Sequence, residues 1–494
     1  MKSHYFTSPV VKLGIWSLTP GDCETWHGEH TSKYFQQLFG IPKWDLLIYE
    51  VKNNFEHAYV EEKYLKLLHS AIDSIKAQGY KELEKKLKTF YPLLHEAKSI
   101  VPMVYKDASK LTNQQLAAAF LKIRDRIHHL AIFDQFTWLA EEYWTPKMED
   151  ILVTKLKLKK GSVEYNQVLF TLTKPEVIST TLTEKKTVLE KALLVKQKKL
   201  PLKEAAQQLT HQFGWLPVFC YGTPWQTDHY EQELQQLQGK GISSLQLEHT
   251  TLLQYTKLRN KELQETIKKY KITSEDAQIF IDFGLALDTR NEAEYFVSFA
   301  GFYLLPLYQE IAKRLFLSIK QVRILMEQEM IDALLGKANA QMLLDQKGKF
   351  IAWGSDKTFQ KRVNFNAQES EALFKHIEAY VKPIQGGNEH KGVCASPGKV
   401  KGKIRIVPSP QDNHKVQQGD ILVTYATTTD YLPAMKRAAA IITEIGGLTC
   451  HAAVVSREFG LPCIVALTNA MKNFKDGELV EVDADEGTVK RMVN

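Results

Sequence analysis

One histidine stands directly behind a pair of glycines, in the stretch Gly446-Gly-Leu-Thr-Cys-His451. Taken alone, such a histidine is more often structural, but a neutral imidazole is also a nucleophile that can accept a phosphoryl group. Backbone N–H groups of a glycine turn and of a helix start can hold the anionic adduct. We therefore predict that His451 accepts a phosphoryl group and that Gly446, Gly447 and Cys450 form the phosphate-binding turn.

Two short elements are predicted to hold this histidine in place. Residues 439–443 are apolar with β-branched side chains near their end, a pattern typical of a buried strand. Residues 451–459 are predicted to form a short helix that ends at the sequence Gly460-Leu-Pro. Thr449 is predicted to be the N-cap of this helix, which places His451 in the first turn, at the positive end of the helix dipole.

Residues 392–494 carry five short motifs in a fixed order. The motifs are Gly392-Val-Cys-Ala-Ser-Pro-Gly with Gly402-Lys-Ile-Arg-Ile-Val, then Gly419-Asp-Ile-Leu-Val-Thr, then Thr427-Thr-Thr-Asp-Tyr-Leu-Pro-Ala-Met, then Gly446 to Arg457 with Gly460-Leu-Pro-Cys-Ile-Val, and finally Asp476-Gly with Val482-Asp-Ala-Asp-Glu-Gly-Thr-Val. In this order they resemble the phosphohistidine domain, also called the swivelling or mobile domain, of the PEP-utilising enzymes. That family includes PEP synthase, pyruvate phosphate dikinase and the rifampicin phosphotransferases.

The resemblance implies a role for each matching position. It implies that His451 is the phosphorylated residue, and that Thr449 contacts the phosphoryl group and is a regulatory phosphorylation point. The sequence departs from the family pattern at two places. Cys450 stands where many members have serine, and Ala466 stands where glycine is usual. Neither departure removes the nucleophile.

The chain has 494 residues, which is too long for one ordinary hydrophobic core. We predict a multidomain α+β protein with a mainly helical N-terminal and middle region and a C-terminal β/β/α phosphohistidine domain. The predicted parts are an N-terminal α+β or helical region at 1–110, a helical domain at 111–335, a β-hairpin and helix connector at 336–382, a linker at 383–391 and the phosphohistidine domain at 392–494. The linker is polar and contains glycines, a composition that suits a domain moving between two sites.

Apolar residues recur at three- and four-residue intervals through much of the region before residue 336, which predicts helices. The predicted helices lie at 59–77, 111–139, 182–195, 227–237 and 247–270, and Thr112 and Ser274 are predicted to cap helix starts. Weaker signals predict strands at 12–17, 45–51 and 342–353. The predicted fold upstream of the phosphohistidine domain is therefore mainly helical.

Several upstream segments resemble the helical middle domain of the rifampicin phosphotransferases. These segments are Asp107 to Leu116, Phe213-Gly-Trp-Leu followed by Gly222-Thr-Pro-Trp, and the stretch from Arg290-Asn-Glu-Ala-Glu-Tyr-Phe to Ile311-Ala-Lys-Arg-Leu. In those enzymes the domain shapes the pocket of the phosphoryl acceptor. The resemblance implies that residues 111–335 hold a small-molecule acceptor, and a purely structural role is the alternative. No spacing of residues fixes an acceptor-binding side chain.

No glycine-rich phosphate loop and no acid pair for magnesium is recognisable before the phosphohistidine domain, and Gly239-Lys-Gly is typical of a turn. The resemblance therefore implies a phosphotransferase component in which His451 carries a phosphoryl group from a nucleotide- or PEP-using partner to the acceptor. A separate ATP-grasp protein is the expected partner. We expect no tightly bound cofactor and no metal site, because ATP and Mg²⁺ would act through that partner. Two alternatives stay open: a phosphohistidine carrier or regulatory module without an acceptor site, and a catalytically inactive PEP synthase-like relative.

The composition narrows the remaining classes of function. The chain is 44% hydrophobic and 24% charged, with a net charge of +7. Its basic runs at 155–160 and 196–199 are typical of solvated faces, so no nucleic-acid partner is expected. The five cysteines show no metal-ligand spacing, and no apolar run is long enough to span a bilayer. We therefore predict a cytoplasmic protein without a membrane partner.

Overall fold

The computed structural model describes residues 10–16, 46–52, 55–61, 85, 87–219, 222–345, 350–354, 363–364 and 391–492. The chain divides into two compact units. The first unit comprises Met1–Leu139 and Phe299–Gln385, and the second comprises Ala140–Ser298 and Gly386–Asn494. The predicted linker at 383–391 lies outside the described residues except for Lys391, as does most of the predicted connector at 336–382.

Helices form most of the described chain between residues 87 and 345. They are α1 (Phe90–Ile100), α2 (Asn113–Glu149), α3 (Val163–Thr173), α4 (Thr180–Lys196), α5 (Leu202–Phe213), α6 (Thr227–Gln238), α7 (Ile242–Leu253), α8 (Tyr255–Tyr270), α9 (Ser274–Arg314), α10 (Ile319–Ile324), α11 (Glu327–Leu334) and α12 (Ala340–Asp345). Helices α2, α4 and α6 confirm three of the predicted helices. The helix predicted at 247–270 is instead two helices, because the backbone of Gln254 leaves the helical conformation between α7 and α8.

Two predicted helix starts can be compared with the structure. At the start of α2, Thr112 Oγ1 accepts a hydrogen bond from the Gln115 amide at 3.2 Å, and Gln115 Oε1 accepts one from the Thr112 amide at 2.9 Å. This reciprocal capping box confirms Thr112 as the cap. At α9 the prediction is wrong by one residue, because the hydroxyl that accepts from the Asp276 amide belongs to Thr273 and not to Ser274.

Five strands of the first unit form an antiparallel sheet. The strands are β1 (Val10–Trp16), β2 (Leu46–Lys52), β3 (Phe55–Glu61), β4 (Phe350–Gly354) and β5 (Val363–Asn364), in the order β1-β3-β2-β4-β5. Strands β1, β2 and β4 agree with the three predicted strands, although Met342 lies in α12. The helix predicted at 59–77 is wrong for residues 59–61, which lie in strand β3, and its remainder lies outside the described residues.

The C-terminal domain is built on a seven-stranded mixed sheet. Its strands are β6 (Val393–Ser396), β7 (Lys399–Ile406), β8 (Ile421–Thr424), β9 (Ala440–Thr443), β10 (Cys463–Val465), β11 (Leu479–Asp483) and β12 (Thr488–Arg491), in the order β12-β11-β7-β8-β9-β10-β6. Neighbours from β7 to β10 are parallel, and the outer pairs are antiparallel. Short helices α13 (Leu432–Met435), α14 (His451–Phe459) and α15 (Ala470–Asn473) follow β8, β9 and β10.

Alternation along the central strands divides the core of this domain between two faces of the sheet. Ile421 and Val423 of β8 belong to one apolar cluster, and Leu422 between them belongs to the other. The cluster that contains Leu422 also includes buried residues of the helices between 188 and 295, such as Tyr295. One face of the sheet therefore packs within the C-terminal domain, and the other shares its apolar core with the helices of the second unit.

The two ends of the C-terminal domain lie side by side. Lys391 forms an antiparallel bridge with Thr488, and the Gly392 amide donates to the Gly487 carbonyl at 2.8 Å. Together with the helices upstream, this closed mixed sheet confirms the predicted multidomain α+β fold class.

Candidate active site

Two loops leave the same edge of the C-terminal sheet. Thr424 at the end of β8 pairs with Thr443 at the end of β9 in parallel register. Because the strands are parallel, the segments that follow them emerge next to each other at the carboxyl edge. These segments carry Thr427 and His451, and the topology therefore brings the two side chains together.

A glycine with a positive φ shapes the loop between β9 and α14. Gly446 has φ +123°, and a Cβ atom there would lie 2.8 Å from Cys450 Sγ. An L-residue would therefore meet both backbone strain and a steric clash. The Cys450 amide closes the turn by donating to the Gly447 carbonyl at 3.3 Å. The three predicted turn residues are thus brought together by the loop, while their role in phosphate binding stays a prediction.

The prediction that Thr449 is the N-cap of the following helix is wrong. Helix α14 begins at His451, and its N-cap is Cys450, whose extended backbone (φ −67°, ψ 157°) precedes the first turn. Thr449 lies one residue too early to cap the helix, and its hydroxyl instead accepts a hydrogen bond from Arg290 Nη1 at 3.1 Å. His451 is the first helical residue, so its position in the first turn is confirmed.

The His451 side chain is enclosed, with only 3% of its surface exposed. Its Nδ1 lies 3.0 Å from Thr427 Oγ1, and its buried Nε2 has no hydrogen-bond partner among the described residues. Burial, together with the nearby Arg290 guanidinium, lowers the pKa of His451 to about 3. A charged imidazolium is disfavoured in a desolvated site beside a cation, so the ring is neutral throughout the physiological pH range.

Arg290 comes from α9, far from His451 in the sequence. Besides its bond to Thr449, its Nε lies 3.7 Å from Glu294 Oε1, one helical turn further along. A second arginine, Arg457 of α14, donates its Nε to the Ala453 carbonyl at 2.9 Å and its Nη2 to the Leu448 carbonyl. The loop that precedes His451 is therefore held by arginines from two different helices.

Other polar contacts join the same helices to the C-terminal domain. Ser298 Oγ of α9 lies 2.6 Å from Thr429 Oγ1. Glu458 of α14 accepts a hydrogen bond from Thr181 Oγ1, which also lies 3.0 Å from Tyr295 Oη. Burial raises the pKa of Glu458 to about 7. These contacts join α4 and α9 to the C-terminal domain.

The sequence analysis identified five of the residues in this arrangement, the histidine, the threonine before it and the three turn residues, but it assigned no role to two others. Thr427 and Arg290 lie in segments whose motifs were recognised, yet neither was assigned a role. Thr427 could have been found from the order of parallel strands. It follows β8, and His451 follows β9, the strand that pairs with β8. Arg290 carried no such signal, because 159 residues separate it from Thr449.

The comparisons with known proteins agree with this geometry for the C-terminal region. Residues 416–487 match the family model described as "PEP-utilising enzyme, mobile domain". This region is therefore a mobile domain of the PEP-utilising type, which confirms the resemblance predicted from its motifs.

Phosphoenolpyruvate synthases are among the relatives of this region. The chain is 54% identical over 99 residues to a probable phosphoenolpyruvate synthase of Archaeoglobus fulgidus, which is 20% of this chain and 13% of that protein. It is 50% identical over 103 residues to the phosphoenolpyruvate synthase of Pyrococcus furiosus (21% and 13%) and 50% identical over 144 residues to a probable one of Pyrococcus abyssi (29% and 18%). The chain therefore spans less than a fifth of the length of these curated relatives.

Two further findings bear on the chain as a whole. An NMR structure of Enzyme I aligns with 64% of this chain and 82% of that chain at 15% identity, with a TM-score of 0.17, which is too low to support an argument about fold. Within the part of the chain that the structure describes, every helix is too short or too polar to cross a membrane.

Proposed function

We propose that this chain is a phosphotransferase component in which His451 carries a phosphoryl group from a nucleotide- or PEP-using partner to an acceptor held by the helices of the second unit. One observation carries the proposal: a neutral imidazole is held through Nδ1 while its buried Nε2 has no partner among the described residues. A structural histidine in a closed site uses both ring nitrogens in hydrogen bonds. Here one nitrogen is left for chemistry.

The proposed step follows from the ring geometry. With Nδ1–H donating to the Thr427 hydroxyl, Nε2 carries the lone pair and attacks phosphorus. The Nε2–P bond forms while the bond from phosphorus to the donor's oxygen breaks, and that oxygen leaves with the electron pair. The phosphorylated ring is cationic while Nδ1–H is retained, and Thr427 Oγ1 stabilises it as an acceptor. Attack by the acceptor's oxygen on phosphorus then releases His451 as a neutral ring.

Positive groups around Thr449 support an anionic adduct. The first amides of α14 have no partner within their own helix and lie at the positive end of its dipole. The Arg290 guanidinium is held at Thr449, two residues before His451. Arginine is suited to a phosphoryl group because its planar guanidinium donates to two oxygens at once. Arg290 would therefore stabilise the charge that develops during transfer.

The acceptor is proposed to lie against one face of α9. Arg290 and Ser298 both contact the C-terminal domain, at Thr449 and Thr429, and stand about 80° apart around the helix axis. Asn291 lies about 20° beyond Ser298 on the same side. Its side chain is 3% exposed, and both its amide nitrogen and its carbonyl oxygen have no partner in the described chain. We propose that Asn291 binds a polar group of the acceptor.

The donor is proposed to be a separate protein. The matched regions cover less than a fifth of the PEP synthases, so most of the length of those enzymes has no counterpart in these matches. A separate ATP-grasp protein with ATP and Mg²⁺ would charge His451, and this chain would need no tightly bound cofactor of its own.

Labelling experiments test this function directly. The purified chain is incubated with Mg²⁺ and γ- or β-labelled ATP, first alone and then with candidate ATP-grasp proteins. We expect acid-labile label on His451 only when the partner is present. Stoichiometric labelling without a partner would show that the chain is a complete phosphotransferase. Label that forms but passes to no small molecule in an acceptor screen would favour the regulatory carrier, and absence of label under every condition would favour the inactive relative.

A further inference from the structure

A second buried group of charges joins the C-terminal domain to the helices of the second unit. Lys436, directly after α13, places its Nζ 2.7 Å from Glu184 Oε1 on α4 and 3.4 Å from Glu233 Oε2 on α6. The same Nζ lies 4.7 Å from the centroid of the Trp225 ring. We call Glu184, Glu233 and Trp225 the lysine socket. One side of this contact belongs to residues 140–298 and the other to the C-terminal domain.

The lysine socket holds its cation with several complementary interactions. Burial lowers the pKa of Lys436, but attraction by Glu184 and Glu233 more than offsets this, and its pKa is raised. His229 completes the surroundings: its ring stacks on Trp225 at 4.1 Å, and its Nε2 lies 3.6 Å from Glu233 Oε2. Burial and then the charges of Lys436 and Arg437 lower the pKa of His229 to about 3, so it adds no positive charge beside the lysine.

Buried charges at a contact between two parts of a chain behave differently from apolar side chains. When the parts separate, a lysine and two glutamates regain their hydration. The free energy needed to break the contact is therefore small. When one partner is removed, the charge left behind is buried and uncompensated, and the contact is strongly weakened. Such a contact fixes one docking position and still permits release.

The burial of His451 indicates why the C-terminal domain must leave its docked position. In the docked arrangement its Nε2 is buried. A phosphoryl donor must approach the attacking atom in line with its leaving oxygen, which requires open space on that side of the ring. A domain that carries an enclosed nucleophile must therefore leave its docked position before a donor on another protein can reach the ring.

We propose that Lys436 is a positioning residue: its insertion into the lysine socket docks the C-terminal domain with His451 enclosed, and its withdrawal opens His451 to the phosphoryl donor. The other named contacts between the same parts, Arg290 with Thr449, Thr181 with Glu458 and Ser298 with Thr429, each have a hydroxyl on one side. The lysine socket is the contact among these that joins full opposite charges. The role of the donor rests on the proposed function, whereas the control of access to His451 does not.

Accessibility of His451 tests this proposal without any phosphoryl donor. The intact chain is treated with diethyl pyrocarbonate, and the rate of His451 modification is measured by mass spectrometry of the peptide that contains it. We expect Lys436→Met to raise this rate at least tenfold. Lys403→Met, at an exposed lysine of β7 in the same domain, is the matched control and should leave the rate unchanged. An NMR titration should also show the pKa of His451 moving from about 3 toward its ordinary value in Lys436→Met alone, because both burial and Arg290 are withdrawn.

Two further variants keep the test decisive if Lys436→Met does not fold. The pair Glu184→Gln and Glu233→Gln removes the socket charges and should raise the modification rate in the same way. The exchange Lys436→Glu with Glu184→Lys restores opposite charges and should return His451 to slow modification. An unchanged rate and an unchanged His451 pKa in folded Lys436→Met or in the double glutamine variant would overturn the proposal. In that case the domain is fixed in place, whether or not His451 is phosphorylated.

Discussion

The His451 site and the lysine socket are both buried and both polar, yet the central group of each, the His451 imidazole and the Lys436 ammonium, is paired to a different extent. In the lysine socket the ammonium group meets two carboxylates and an aromatic face. At the His451 site one ring nitrogen is bound and the other, equally buried, has no partner in the described chain. The same segments of chain, α4 to α9 and the C-terminal domain, supply both places.

The contrast separates two uses of buried polarity. A buried group with its hydrogen bonds satisfied contributes to one defined arrangement of the chain, while an unsatisfied one costs about 1–3 kcal/mol. Proteins keep such a cost where a ligand or a reacting group will later satisfy it. The unsatisfied nitrogen therefore points to chemistry at His451, and the satisfied ammonium points to docking at Lys436.

The largest effect is expected at His451, the proposed nucleophile. His451→Ala should abolish acid-labile phosphoryl labelling, because no other described side chain of the site offers an imidazole nitrogen. The variant should keep its fold, since the ring makes one hydrogen bond that alanine only removes. Labelling is measured with a charging partner, and folding by circular dichroism. Acid-labile label persisting on the variant would show that His451 is not the phosphorylated residue. The unpaired nitrogen of His451 would then no longer distinguish its site from the lysine socket.

Arg290→Met should slow phosphoryl transfer by roughly 100-fold, the usual loss when one preorganised donor to developing charge is removed. The pKa of His451 should rise at the same time, because the guanidinium is one of the two causes of its low value. Transfer is followed in a single-turnover experiment and the pKa by NMR titration. Lys268→Met, at an exposed position of α8, is the control and should change neither quantity. A normal transfer rate in Arg290→Met would make this arginine a structural tie to Thr449.

Glu458→Gln tests whether the polar contacts near His451 respond to pH. Burial raises the pKa of Glu458 to about 7, so between about pH 4.5 and 7 the native state holds a proton that the unfolded chain has released. This glutamate therefore reduces stability as pH rises through that window, by roughly 3 kcal/mol in total. The glutamine variant should match the wild type in urea unfolding at pH 5 and exceed it at pH 8. Equal midpoints at both values would show that Glu458 is ionised in the native state.

Thr449→Val separates catalysis from helix capping. Since Cys450 is the N-cap, the loss of the Thr449 hydroxyl should lower the melting temperature by no more than about 2–4 °C. Transfer should nevertheless slow by about tenfold, the effect of losing roughly 1.4 kcal/mol, because Arg290 loses the oxygen that holds it. If the rate is unchanged and only the melting temperature falls, the threonine has a structural role alone.

Ala466→Gly has the smallest expected effect and serves as a purely structural reference. Ala466 has φ +56°, a left-handed conformation that costs an L-residue roughly 1–2 kcal/mol. Glycine at this position should stabilise the domain by up to about 1 kcal/mol. The gain is limited because glycine gives the unfolded chain more conformational entropy than alanine does. Urea unfolding measures the gain, and phosphoryl transfer should not change. A loss of stability would show that packing of the alanine methyl group outweighs the backbone strain.

Local features of the C-terminal domain could be predicted from the sequence because short-range chemistry determines them. The run of β-branched and apolar residues before Gly446 forms a strand, the glycine turn has the backbone that only glycine readily adopts, and the helix after it ends at Gly460 in the left-handed conformation. The error at Thr449 has a specific cause. Threonine is a good N-cap by intrinsic preference, but a partner from a distant helix binds its hydroxyl, and the cap moves to Cys450.

The contacts between the helices and the C-terminal domain could not be predicted in the same way. Lys436 is separated from Glu184 by 252 residues and from Glu233 by 203, and no periodic pattern relates positions so far apart. Arg290 and Asn291 lie in α9, and no pattern along this helix indicates which of its faces meets the C-terminal domain. His451 could therefore be singled out as a candidate from the sequence, whereas its surroundings required the fold.

The closure of the C-terminal domain by Lys391 with Thr488, and by Gly392 with Gly487, has a consequence for protein engineering. A module whose entrance and exit are neighbours can be placed in a surface loop of a host protein without stretching either chain. It can equally be given new termini at an exposed turn, with its old ends joined by a short peptide. The C-terminal domain is in this sense a cassette, because its insertion needs no long connecting peptide on either side.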